Sequence, residues 1–213
     1  MRIIIICALI SLISVVGFMV FKKQARSITQ KKITIAALGD SLMAGYGLAP
    51  DKSYPEQLAA SLREQGWQIE VKNYSVSGAT TQDGLAKVPE IIVQKPDLIL
   101  LGLGANDGLR GMPVAGIESR LHKLVLPFRE ANIPVILMGM RMPPHNGIEY
   151  ANQYNGVFEK IATQYELPFY PFFLEKVFGE KNLMLPDGLH PNEKGLASIV
   201  KRTQKLVEET VFD

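Results

Sequence analysis

Four short apolar runs, Ile33 to Leu38, Ile69 to Tyr74, Leu98 to Leu103 and Val135 to Met138, alternate with longer segments of helical period. That alternation limits the fold more tightly than any other feature of the chain. The runs are nearly continuous in apolar character, as strands are when both faces of their sheet are covered. Between and after them, apolar residues recur on one helical face: Leu85, Val88, Ile91 and Ile92; then Ile117, Leu121, Leu124, Val125 and Phe128; then Tyr154, Val157, Phe158, Ile161 and Tyr165; finally Leu196, Ile199, Val200, Thr203, Leu206 and Val207. The pattern implies a mostly parallel sheet between two layers of helices, a three-layer α/β/α sandwich.

The amino terminus stands outside this pattern. Ile3 to Phe21 is an apolar run interrupted only by Cys7, Ser11, Ser14 and Gly17, so residues 1–23 read as an export signal or membrane anchor. Residues 24–32 read as a polar, basic linker, and residues 33–213 as the folded body. Residues 1–32 hold six basic side chains and no acidic one, which leaves the body with 17 basic against 21 acidic residues. Such a body lacks the positive field that binds a phosphate backbone, so no nucleic-acid partner is expected. Arg2 and the Lys22, Lys23 and Arg26 cluster flank the run on both sides, leaving its topology open, and the body is expected outside the cytoplasm, in a periplasmic setting. Cys7 is the only cysteine, so no disulfide within the chain and no cysteine metal cluster can form. A monomer is expected.

In an open parallel sheet, ligands gather at the carboxyl ends of the strands. Polar residues stand there after three runs: Gly39-Asp40-Ser41-Leu42, Ser75 to Thr80, and Gly104-Ala105-Asn106-Asp107-Gly108. A fourth block, Asp187-Gly188-Leu189-His190-Pro191, precedes the last helix. Ser41 reads equally as a helix-capping serine or as a nucleophile whose own N–H, near a helix start, could hold an oxyanion. Gly78 could be a turn glycine or a close-approaching N–H donor, and Asn106 an Asx turn or a side-chain donor. His190 follows Asp187 by three positions, close enough for the carboxylate to orient the imidazole as a base. Pro191 is expected in the first turn of the helix that follows. His122 sits on an amphipathic helix and His145 in a Pro-rich loop, neither with an evident acidic partner.

Together the four blocks resemble the SGNH, or GDSL, hydrolase family, named for its serine, glycine, asparagine and histidine: here Ser41, Gly78, Asn106 and His190. Gly39 to Tyr46, Gly104 to Gly111, Pro171-Phe172-Phe173 and Asp187 to Asn192 bring the chain nearer to its bacterial thioesterase I, arylesterase and lysophospholipase group. The resemblance implies a flavodoxin-like sheet of about five parallel strands, a catalytic triad of Ser41, His190 and Asp187, an oxyanion hole of Ser41, Gly78 and Asn106, and no cofactor. It also implies esters, thioesters or lysophospholipids of small-molecule size as substrates. Ala79 and Ala105 depart from residues common in the family, and both lie beside the expected oxyanion donors.

Apolar residues around Leu109 and Pro144 suggest an acyl-chain groove, though core packing explains them as well. A carbohydrate O-deacetylase would use the same triad and is the alternative within enzymes. A dinucleotide-binding domain is disfavoured, because Gly39, Gly45 and Gly47 do not make the G-x-G-x-x-G spacing after the first strand. A silent binding module would require all four blocks to be coincidence. The His and acidic residues lack helical metal-ligand spacing, so no metal is expected.

Overall fold

The computed structural model describes residues 31–212, so the expected signal or anchor 1–23 lies outside the described residues, as does most of the linker 24–32. Five strands form one sheet: β1 (Ile33–Gly39), β2 (Ile69–Asn73), β3 (Leu98–Gly102), β4 (Val135–Met138) and β5 (Phe169–Tyr170). Their order is β2-β1-β3-β4-β5 and every neighbouring pair is parallel. β3 and β4 are buried along their whole length, which their uninterrupted Leu, Ile, Val and Met side chains permit. The edge strand β2 alternates apolar with polar residues instead and is only partly buried beyond Ile69, and its Glu70 pairs with Lys32 at 2.7 Å. Charge on an edge guards against pairing with another chain.

Among the described residues eight α-helices surround the sheet: α1 (Ser41–Ala44), α2 (Tyr54–Glu64), α3 (Thr81–Leu85), α4 (Val88–Val93), α5 (Ala105–Leu109), α6 (Val114–Glu130), α7 (Ile148–Tyr165) and α8 (Glu193–Phe212). α2 packs against α8, while α3, α4 and α7 pack on α6, giving one helical layer on each face. The stripe expected over Leu85 to Ile92 is broken into α3 and α4. Pro89 lacks an N–H and its ring would crowd the Leu85 carbonyl in one continuous helix, which favours a break, and it stands instead in the first turn of α4, where a helix tolerates proline. Helix α2 was not expected from the pattern, although Tyr54, Leu58 and Leu62 fall one turn apart and are buried together.

The chain order reverses between β1 and β3, the point where ligands collect in such sheets. There Gly39 and Gly102 pair at the strand ends. Buried Met43 of α1 fills the space above them: a Cβ on Gly39 would lie 2.8 Å from Met43 Cβ and Cγ, and one on Gly102 would lie 2.6 Å from Met43 Cε. The missing side chains let α1, which begins at Ser41, sit directly on the sheet. Gly39→Ala is therefore expected to destabilise the protein by about 1–3 kcal/mol, the usual scale for overpacking, and to slow turnover by displacing α1. Thermal unfolding and steady-state rates test this; a variant unchanged in both would show that α1 needs no such seat.

Candidate active site

Helix α1 owes its start to Asp40, whose Oδ1 accepts a hydrogen bond from Leu42 N–H at 3.0 Å. This places Ser41 at the first helical position. Its hydroxyl donates to His190 Nε2 at 2.8 Å, and His190 Nδ1 donates to Asp187 Oδ2 at 2.7 Å. The assignment of the imidazole proton follows from these partners, since a carboxylate can only accept. Asp187 Oδ1 also accepts from the N–H groups of Leu189 and His190, at 2.9 and 3.0 Å. Those bonds, led by the backbone N–H and ring of His190, hold the Asp187 carboxyl down at about 2. It is therefore a carboxylate throughout the neutral range, able to orient His190 and face the charge that forms on it.

The segment bearing Asp187 and His190 is pinned from both sides. Met184 and Pro191 form an antiparallel bridge, Leu185 N–H donates to the His190 carbonyl at 2.7 Å, and Asn192 N–H donates to the Leu183 carbonyl at 2.9 Å. Pro191 thus lies before α8 rather than in its first turn. The cap is Asn192, whose Oδ1 accepts from Gly195 N–H at 3.0 Å, and that bond starts the helix at Glu193.

On the other side of Ser41, Gly78 occupies the third place of a turn closed by Ala79 N–H on the Val76 carbonyl at 3.0 Å. Its φ of +83° suits a glycine, and a Cβ there would meet no protein atom within 4 Å. Asn106, in the first turn of α5, donates from Nδ2 to the Ala79 carbonyl at 3.0 Å, a bond from this helix to the turn after β2 rather than a local Asx turn. An amide has two N–H bonds, so one remains for a ligand. Arg110 Nη2 donates to the Gly78 carbonyl at 3.1 Å. Beneath them, fully buried Asp107 accepts from Thr81 N–H at 2.8 Å, from Thr81 Oγ1 at 2.6 Å and from Arg120 at 3.1 Å. The turn carrying Gly78 and the helix carrying Asn106 are thereby fastened together.

Ser41, Asn106 and His190 open onto one cavity of about 430 Å³, whose walls are mainly apolar: Leu109, Met140, Met142, Phe172, Leu174 and Phe178. Gly78 instead lines a second cleft of about 300 Å³ together with Gly39. Leu109 stands where an acyl groove was expected. Pro144 does not: it is exposed in a short 3-10 turn, and its neighbours Pro143 and His145 reach the cavity in its place. Phe172 lay within a sequence block tied to the family, whereas Phe178 sits in an irregular stretch without periodicity and carried no signal.

Neither of the other histidines joins the hydrogen-bond chain of Ser41, His190 and Asp187. His122 does have an acidic neighbour, Glu118 one helical turn earlier, 3.8 Å from its Nε2, and its Nδ1 meets the Tyr165 hydroxyl at 3.2 Å. His145 Nδ1 contacts the Pro143 carbonyl at 3.1 Å. Among the described residues, no group of three or more His, Cys, Asp and Glu side chains could hold a metal ion.

Residues 37–197 match the GDSL-like Lipase/Acylhydrolase family. The chain is 41% identical to an arylesterase of Vibrio mimicus over 86% of its own length and 90% of that protein. It is 36% identical to thioesterase 1/protease 1/lysophospholipase L1 of Escherichia coli strain K12, over 75% of the chain and 76% of that protein. The structure superposes on the psychrotrophic esterase EstA of a Pseudoalteromonas species with a TM-score of 0.78 and 32% identity, covering 83% of this chain and 97% of that one.

One further group beneath the site titrates abnormally. Asp40 is fully buried and its Oδ2 has no hydrogen-bond partner among the described residues. Burial pushes its carboxyl up to about 7; the Leu42 N–H opposes the shift, and the nearby Asp107 charge adds to it. An acid whose pKa rises on folding favours the native state below its unfolded value, and that advantage fades as pH rises through the folded one. The protein should therefore lose stability relative to Asp40→Asn, which keeps the Leu42 cap, by an amount on the order of a few kcal/mol between pH 4 and 8. Urea unfolding of both proteins across that range tests it; parallel curves would place Asp40 at an ordinary acidity.

Proposed function

The chain belongs to the GDSL-like lipase/acylhydrolase family and is an ester hydrolase, and on that footing we propose that it cleaves carboxylic esters and acyl thioesters through an acyl-serine formed on Ser41. The observation that carries the reading is the unbroken hydrogen-bond chain from Ser41 to His190 to Asp187, with contacts of 2.8 and 2.7 Å, at the mouth of an apolar cavity. In the proposed reaction, Ser41 Oγ attacks the acyl carbon as its proton passes to His190 Nε2, and Asp187 stabilises the imidazolium. The N–H groups of Ser41 and Gly78 and the free amide hydrogen of Asn106 take up the negative charge on the carbonyl oxygen. His190 returns the proton to the departing alcohol or thiol. Water, activated by the same imidazole, then releases the acid and regenerates Ser41.

The cavity walls support an acyl chain as the group recognised, because they offer apolar surface and few hydrogen-bond partners for a sugar. The relatives named above as arylesterase and thioesterase 1/lysophospholipase L1 agree with ester, thioester and lysophospholipid substrates, and give the carbohydrate deacetylase no support. We also infer export from the cytoplasm, by cleavage or by tethering through residues 1–23. None of the described helices is long and apolar enough to cross a membrane.

Ser41→Ala is expected to abolish hydrolysis of p-nitrophenyl and acyl-CoA substrates while leaving the fold intact, and normal rates in that variant would end the proposal. Removing the Asn106 side chain with Asn106→Ala should cost about a hundredfold or more in kcat, the scale of one oxyanion donor. Across chains of two to sixteen carbons, turnover should peak at medium or long acyl groups; activity confined to acetyl esters would favour the deacetylase instead.

A further inference from the structure

Hydrogen bonds hold both nitrogens of His190 but do not account for what covers its ring. The Tyr46 ring lies against it, with centroids 4.4 Å apart and planes inclined by 33°. Half of the Tyr46 surface is exposed, so burial alone gives little reason for an aromatic side chain at this place. Its position is nonetheless closely specified. Gly45 and Gly47, with φ of +79° and +73°, flank it, and the N–H groups of Gly45 and Tyr46 both donate to the Ser41 carbonyl, at 3.2 and 3.1 Å. A Cβ on Gly45 would lie 2.9 Å from the Ser53 backbone, and one on Gly47 would lie 2.9 Å from Leu185, whose N–H donates to the His190 carbonyl. This turn is bonded to the nucleophile at one end and wedged against the segment of the base at the other.

We propose that Tyr46 is a positioning residue for the base, its ring steadying the imidazole against Ser41 and stabilising the imidazolium formed when His190 takes the Ser41 proton. An aromatic face attracts a cation within about 6 Å of its centroid, and the measured separation is well inside that range. Neutral imidazole feels little of this attraction, so it grows as the proton moves and favours the transition state over the resting state. Among the described residues, the hydrogen-bonding and aromatic groups against the His190 side chain are Asp187 on its own segment, the Ser41 hydroxyl on α1 and Tyr46 from the turn after α1. The role rests on the triad proposed above.

Tyr46→Phe and Tyr46→Leu separate the ring from mere cover, because both keep apolar bulk over His190 and only Phe keeps an aromatic face. Tyr46→Phe should retain the wild-type kcat, whereas Tyr46→Leu should lose about three- to fivefold in kcat at unchanged KM. Relative to Phe, the acid limb of kcat/KM in the Leu variant should move about half a pH unit lower, since its imidazolium is less stabilised. Equal rates and equal pH profiles for the two variants would overturn the proposal. So would a loss confined to KM, which would make Tyr46 a substrate contact. Ser41→Ala measured alongside distinguishes the two levels: turnover surviving there would bring down the triad and this role with it.

Discussion

At the carboxyl ends of β1 and β3 two glycines face each other in register, and Met43 occupies the volume their absent side chains leave. The rest of the site depends on this contact. Because α1 is only four residues long, its own hydrogen bonds could not hold it in place; nucleating so short a helix is unfavourable without tertiary packing. Met43 supplies the packing and Asp40 the cap. Ser41 is thereby set at the chain reversal of the sheet, where the loops after β1, β2 and β3 meet and where a segment from beyond β5 can reach it. Parallel strands explain why residues far apart in sequence arrive together: every carboxyl end lies on the same side.

Three aspartates within this small region show how environment divides one side chain among different tasks. Asp187 is partly exposed and accepts three hydrogen bonds around His190, which keep it ionised. Asp107 is fully buried yet paired with Arg120 and with both donors of Thr81, so its charge is met. Asp40 is equally buried but has one oxygen without a partner, and burial raises its pKa to about 7. Only Asp187 has the position and charge to assist a proton transfer. The two buried acids act on geometry, Asp40 at the helix under Ser41 and Asp107 at the junction between the turn of Gly78 and the helix of Asn106.

Much of this could be read from residue order, and the failures share a cause. Apolar runs locate β1, β3 and β4 within a residue or so because those strands are largely buried on both faces, and the edge strand β2 is located by its alternation of apolar and polar residues. The two-residue β5 is too short to show any period, and its presence followed only from likeness to a family. The halves of the split helix are misread as one because a hydrophobic stripe is blind to Pro89, whose steric demand is local. In the site, Ser41 and Asn106 announce themselves as polar residues where strands end, and His190 by its spacing from Asp187 ahead of the last helix. Thr81, Arg120 and Tyr46 do not, since each meets a partner distant in sequence, and spacing cannot reveal such pairs.

The stretch between β5 and α8 has no long helix or strand, yet it holds two members of the proposed triad. Irregular backbone can be this well fixed only if its polar groups are satisfied and its apolar residues buried. Both conditions hold. Phe173 and Val177 are fully buried, and Asn192 caps α8 while its Nδ2 reaches the Asn182 carbonyl at 3.0 Å and the Met184 carbonyl at 3.3 Å. The same stretch supplies Phe172, Leu174 and Phe178 to the cavity wall. The cavity wall and the placement of His190 therefore draw on one continuous segment. Large changes in its wall residues are expected to strain the support of His190, whereas Leu109 and Met142, carried by other elements, are expected to vary in size with less consequence for the proposed proton relay.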